Sequence, residues 1–249
     1  LAHNPLDIPV TPVADAPKVY NSAVSGSENT AVSLGLKLPV VKDVTDLNGT
    51  AAGDHAERLG YIDIRGIPDT AVVRNGGTAL ETDNGTLHII ISDKSGYQLS
   101  TLAASGTGVH TMTQDQFAAL TIQQYNDNAH TSIYAHSNIS LTVNATSYEV
   151  GGSGAQLTGI EGAESSAAVA VDVKAVTDAA PTLAMNGSIA PAAQDEAHAT
   201  FAISGSTIFT PSLANVIDAD GSEKVYFRIT GLQSGMKIGY DVNGDGTAE

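Results

Sequence analysis

Apolar and polar residues alternate along several short stretches of the chain. Ser137-Asn138-Ile139-Ser140-Leu141-Thr142-Val143-Asn144-Ala145 keeps a period of two over a whole strand length. Tyr61-Ile62-Asp63-Ile64-Arg65, Ala168-Val169-Ala170-Val171-Asp172-Val173-Lys174 and Lys224-Val225-Tyr226-Phe227-Arg228-Ile229 alternate more loosely, and Leu87-His88-Ile89-Ile90-Ile91 is more uniformly apolar. A period of two sends successive side chains to opposite faces, so each stretch predicts a strand with one face for a core and one for water. Turn residues separate the runs: Asn75-Gly76-Gly77, Asp83-Asn84-Gly85, Gly151-Gly152 and Asp245-Gly246. One short helix is predicted at residues 113–119, with Gln114 and Asp115 in its opening turn. Many short strands joined by Gly-rich turns predict an all-β fold of antiparallel β-sandwiches.

Composition agrees with that reading. Charged residues are only 15 % of the chain, so the Glu, Lys and Arg that favour long helices are scarce. A length of 249 residues suits one large or two ordinary domains. No apolar run approaches the roughly 20 residues that span a bilayer as a helix. Residue 1 is Leu, with no basic n-region behind it, so the chain is expected to be a segment cut from a longer polypeptide. The net charge of −16 argues against nucleic acid and anionic membranes, whose recognition rests on clustered Lys and Arg. Without cysteine, disulfides and zinc–thiolate sites are excluded.

The chain also repeats itself. Val10-Thr11-Pro12-Val13-Ala14-Asp15-Ala16-Pro17 recurs as Val173-Lys174-Ala175-Val176-Thr177-Asp178-Ala179-Ala180-Pro181. Each copy is followed by an acidic residue before a short apolar strand, Glu28 in the first and Glu196 in the second. An acid-rich loop comes next, running from Asp43 to Glu57 in the first copy and reading Asp218-Ala219-Asp220-Gly221-Ser222-Glu223 in the second. Such repetition predicts tandem modules. Residues 1–14 would be the last strand of a preceding module, 15–176 an enlarged module, and 177–249 a second module that stops before its final strands.

Val13-Ala14-Asp15-Ala16-Pro17, Ser27-Glu28-Asn29-Thr30-Ala31-Val32 and the Asp218–Glu223 loop with Ile229-Thr230-Gly231-Leu232 resemble the cadherin-like or bacterial immunoglobulin-like repeats of giant RTX adhesins. The resemblance is specific at the linkers and at the Asp-x-Asp-Gly-Ser-Glu loop. It implies tandem immunoglobulin-like sandwiches in a type I-secreted, extracellular cell-surface protein of cell adhesion and biofilms. It also implies calcium at module junctions, which holds an extender straight. The partners implied are neighbouring modules of the same chain and a host or biofilm surface ligand. The first module is longer than the roughly 100 residues of an ordinary immunoglobulin sandwich. Stretches at residues 48–54 and 151–162 read as insertions, and inserted loops are where binding functions often sit. A ligand-binding module for a glycan, peptide or filament is therefore the alternative to a stalk.

Calcium takes six to eight oxygens from carboxylates, carbonyls and water. Asp218 and Asp220 lie two apart in a loop that Gly221 lets bend, Glu223 can close the shell, and Asp178 and Glu196 can reach the same junction. The first module offers Asp15, Glu28, Asp43, Asp46, Asn48, Asp54 and Glu57. The same residue types also make turns with solvated charges. Asp241-Val242-Asn243-Gly244-Asp245-Gly246 matches the opening of an EF-hand loop, but its counterpart Thr82-Asp83-Asn84-Gly85-Thr86 reads as a plain hairpin turn, and the hairpin is expected.

Nothing in the chain predicts an enzyme. Seven histidines show no i, i+4 metal-binding pair and no His-Glu-x-x-His. There is no Gly-x-Ser-x-Gly elbow and no phosphate-binding Gly-x-x-x-x-Gly-Lys loop. Thr50-Ala51-Ala52-Gly53 resembles a site of periplasmic trimming in large adhesins but reads as loop filler here. The Asn-x-Ser/Thr triplets at Asn48, Asn84, Asn138, Asn144 and Asn186 are incidental on the bacterial resemblance.

Overall fold

The computed structural model describes residues 11–28, 30–42, 55–125, 127–130 and 137–176, two further strands at Thr182–Met185 and Phe209–Ser212, and residues 230, 231 and 234. The chain divides into two compact units, one built mainly of residues up to Asp178 and the other mainly of residues from Ala179 onward.

The first unit contains β1 (Ser22–Ser27), β2 (Val32–Ser33), β3 (Glu57–Arg65), β4 (Ala71–Asn75), β5 (Thr78–Ala79), β6 (Thr86–Ile91), β7 (Val109–Met112), α1 (Gln114–Ala118), β8 (Thr121–Gln124), β9 (Ser137–Glu149) and β10 (Ala163–Lys174). Among the described residues these strands form a six-stranded sheet, ordered β1-β10-β9-β3-β6-β7, and a four-stranded sheet, ordered β2-β8-β4-β5. Among the described residues the chain is all-β apart from the single turn of α1. In the second unit, β11 (Thr182–Met185) and β12 (Phe209–Ser212) pair antiparallel.

Purely antiparallel sheets were expected, and the six-stranded sheet corrects this. β1 runs parallel to β10 and β6 parallel to β7, while β10–β9, β9–β3 and β3–β6 are antiparallel. Alternation within a strand specifies its two faces but carries nothing about a partner's direction, which is set by the connection between strands.

The two sheets share one core. Val32, Val73 and Ile122 from the smaller sheet pack with Ile62, Ile64, Leu87, Ile89, Leu141, Val143, Val169 and Val171 from the larger. Burying each such side chain contributes roughly 1.5–3 kcal/mol. β10 shows the expected alternation: Ala167, Val169, Val171 and Val173 are buried, and Ala168, Ala170, Asp172 and Lys174 are exposed. Both strands β9 and β10 run past the stretches that the alternation predicts. The predicted helix is present, capped by Thr113, whose side chain accepts from the Gln116 N–H while Gln116 reaches back to the Thr113 N–H. Phe117 anchors it in the core.

The Asp83-Asn84-Gly85-Thr86 turn is a hairpin of the primed type. Asn84 and Gly85 have φ of 48° and 74°, and Asp83 and Thr86 exchange both backbone hydrogen bonds. Where the β3–β9 register slips between Leu59 and Ile62, β3 and β6 part, and the Gln98 side chain fills the gap. Its Oε1 accepts from Ile91 N at 2.6 Å, and its Nε2 donates to Gly60 O at 2.9 Å and Ile89 O at 3.0 Å. On the outer face, the Tyr148 ring lies across two glycines. A Cβ on Gly60 would stand 3.0 Å from it, and one on Gly162 only 2.5 Å.

Candidate functional site

The inward-facing row of β9 changes character along its length. Ile139, Leu141, Val143 and Ala145 are apolar; Ser147 and Glu149, the next two inward positions, are polar and still buried. β3 does the same in reverse, from Ile64 and Ile62 through Leu59 to Glu57. Glu57 and Glu149 are direct cross-strand partners. Glu57 is 1 % exposed and Glu149 5 %, so two buried glutamates occupy adjoining strand positions at one end of the sandwich. Like charges in facing positions repel, and burial strengthens the repulsion. Asp15 sits at this end: its N–H donates to Glu57 Oε1, and its carbonyl accepts from the Ser147 hydroxyl. The chain thus enters the sandwich over the Glu57 carboxylate.

Glu28 lies at the other end. It follows β1 directly, and its N–H donates to Lys174 O at 3.0 Å, extending the parallel ladder by one step. Its Oε1 accepts from Val176 N at 2.7 Å, so its side chain catches the backbone just beyond β10. Glu28 is fully buried, and its Oε2 has no hydrogen-bond partner. A buried carboxylate oxygen without a partner costs about 1–3 kcal/mol unless a donor or cation satisfies it. From Ala163, beside Ser147, to Lys174, beside Ser27, β10 rises about 35 Å at roughly 3.3 Å per residue. Asp15 with Glu57 and Glu28 with Val176 are therefore opposite ends of one unit.

Of the sequence candidates, the structure brings Asp15 and Glu57 together and sets Glu28 apart from them. Asp43, Asp46, Asn48, Asp54, Asp178, Glu196, Asp218, Asp220 and Glu223 lie outside the described residues, as do residues 177–181 of the repeat's second copy and the Asp241-Val242-Asn243-Gly244-Asp245-Gly246 stretch. Among the described residues no three acidic or imidazole side chains converge as a metal-holding group. The donor chemistry nevertheless suits a hard cation: Glu28 presents an orphaned carboxylate oxygen, and carboxylate oxygen is the ligand calcium prefers. Glu149 and Ser147 escaped the sequence reading. The signal was there, because the alternation from Ser137 to Ala145 continues two steps further and turns both residues inward.

The 151–162 stretch is a compact turn between β9 and β10, closed by its own backbone bonds from Gly151 to Ala155 and from Leu157 to Glu149. Ser100 ties it down through Gly154 O and Ser153 O. Three of the described histidines contact neighbouring oxygens. His88 Nδ1 lies 2.8 Å from Asp63, and His110 and His130 contact the Glu81 and Asp69 carbonyls at 2.7 Å. Arg65 also donates to Asp63, which raises the guanidinium pKa.

No family model, curated protein or solved structure matches this chain.

Proposed function

We propose that the chain is an extender segment of a large bacterial cell-surface adhesin, built of tandem immunoglobulin- or cadherin-like sandwiches and stiffened by calcium where modules meet. One observation carries the reading. The chain enters and leaves the first unit at opposite ends, and at each end a buried glutamate accepts a hydrogen bond from the backbone passing over it: Glu57 from Asp15, Glu28 from Val176. End-to-end passage is the connectivity a rod requires. A carboxylate fixed under the passing backbone is where a divalent cation can clamp that segment. Glu28 with its spare Oε2 would hold calcium at the leaving end; Asp178, Glu196, Asp218, Asp220 and Glu223, the other acids that the sequence offers for a junction, lie outside the described residues. Glu57 and Glu149, with Asp43, Asp46, Asn48 and Asp54 from the acidic loop, would hold it at the entering end. The ion would supply the positive charge that a buried carboxylate needs.

In this reading the protein is extracellular, on the surface of a Gram-negative cell after type I secretion. It acts mechanically, projecting distal binding domains for adhesion or biofilm formation. Small-angle scattering from the full chain tests it. Calcium should raise the radius of gyration and sharpen the distance distribution if it clamps the junctions; identical curves in calcium and in chelator would refute the clamp.

A further inference from the structure

We propose that the face of the first unit formed by Lys18, Tyr20 and Lys37 binds a carboxylated polysaccharide, independently of any calcium site. The Lys18 ammonium lies 5.0 Å from the Tyr20 ring centroid and the Lys37 ammonium 5.8 Å from it. Both lysines are exposed and the tyrosine is half-buried, so the ring is a fixed platform with two cations gathered on it. Lys18 pairs through its backbone with Val40, a residue 46 % exposed. Beside Val40, the Pro39 carbonyl accepts from the Tyr97 hydroxyl at 2.6 Å, and the Lys94 ammonium stands 4.2 Å from the Tyr97 centroid. A third ammonium is thus tied, through Tyr97 and Pro39, to the segment that pairs with Lys18.

The chain carries a net charge of −16, yet among the described residues Lys18, Lys37 and Lys94 make no ion pair with a carboxylate. Gathering like charges on one ring without a counter-ion is unfavourable in the free protein and favourable once an anion arrives. The patch offers ammonium donors beside an aromatic ring and an exposed valine. A uronic acid sugar matches that pairing, with a carboxylate for the lysines and a C–H face for the apolar surface. An acidic peptide would use the cations alone. An anionic bilayer demands a broader positive field than three lysines give on so acidic a chain.

The test is capture of the full chain on immobilised hyaluronan, with its methyl-esterified form and polyglutamate as comparators. Hyaluronan should capture the chain and its ester should not. Capture should weaken as salt rises from about 50 to about 200 mM. The double variant Lys18→Gln/Lys37→Gln should bind about tenfold more weakly or worse, a loss of at least one decade in Kd. Its melting should stay unchanged, because both side chains are exposed. Tyr20→Ala should weaken hyaluronan capture as well. Equal binding by the double variant, equal capture on the ester, or no capture at low salt would overturn the proposal. Polyglutamate bound as tightly as hyaluronan would overturn the saccharide and leave an acidic-peptide surface.

Discussion

Replacing Glu28 by Gln separates two roles of one side chain. Its Oε1 accepts the Val176 N–H at 2.7 Å, and the carbonyl oxygen of Gln can keep that bond. Its Oε2 is buried without a partner, and the substitution exchanges that oxygen for a neutral NH2. In chelator the variant removes an uncompensated negative group and keeps the ladder contact. It should melt at the same temperature as the parent or a few degrees higher. In calcium the comparison reverses. A native-state ligand at 100 times its Kd stabilises by about 2.7 kcal/mol. If losing the carboxylate weakens calcium about 100-fold, the variant at the same calcium keeps only about 0.4 kcal/mol by the same relation. The difference of about 2.3 kcal/mol corresponds to roughly 5–9 °C for a unit of this size. Differential scanning calorimetry of parent and variant, each in calcium and in chelator, reads the four melting temperatures. A variant that loses the same stability in both buffers would reduce Glu28 to a structural cap, and the reasoning about its second oxygen would be wrong.

Other predictions follow from local geometry. Gln98→Leu strands three backbone groups, Ile91 N–H and the Gly60 and Ile89 carbonyls, and should cost about 2–4 kcal/mol in urea unfolding; a loss under about 1 kcal/mol would show that water replaces the side chain. Gly162→Ala drives a Cβ to 2.5 Å from the Tyr148 ring and should destabilise by about 1–3 kcal/mol, with much of that loss absent when Tyr148 is already Ala. Burial raises the Tyr97 pKa well above that of a free tyrosine. Its folded pKa lies above its unfolded value, so the stability it contributes is present below about pH 10 and is lost as pH rises beyond that. Absorbance titration at high pH should show Tyr97→Phe removing the tyrosine that ionises last; a variant that removes an early-ionising group would contradict the assignment.

Much of the first unit is legible from alternation alone. The stretches around Ile62, Ile89, Leu141 and Val171 are strands with the expected faces, because the sandwich leaves one face of each in water. The Asn84-Gly85 turn and the Thr113 cap are legible because their chemistry is local. β1 was not legible: Ser22-Ala23-Val24-Ser25-Gly26-Ser27 has only two apolar side chains, and its position depends on pairing with β10, whose sequence lies far away. Gly26 shows the reason for its composition, since a Cβ there would strike Val32 at 2.5 Å. The carboxylates divide in the same way. Glu28 and Asp15 were both visible as acids near a linker, but they are close in sequence and about 35 Å apart along the sheet. Only the parallel β1–β10 register carries Glu28 to the end where the chain leaves.

The central claim is that the native chain takes up calcium through carboxylates at the ends of its first unit. Thermal unfolding in excess calcium, in excess magnesium and in chelator tests it most directly. Calcium alone should raise the melting temperature by several degrees and more as its concentration grows, since magnesium demands a stricter octahedral geometry than flexible loops provide. Equal melting in all three buffers would contradict the claim and leave Glu28 and Glu57 as backbone caps.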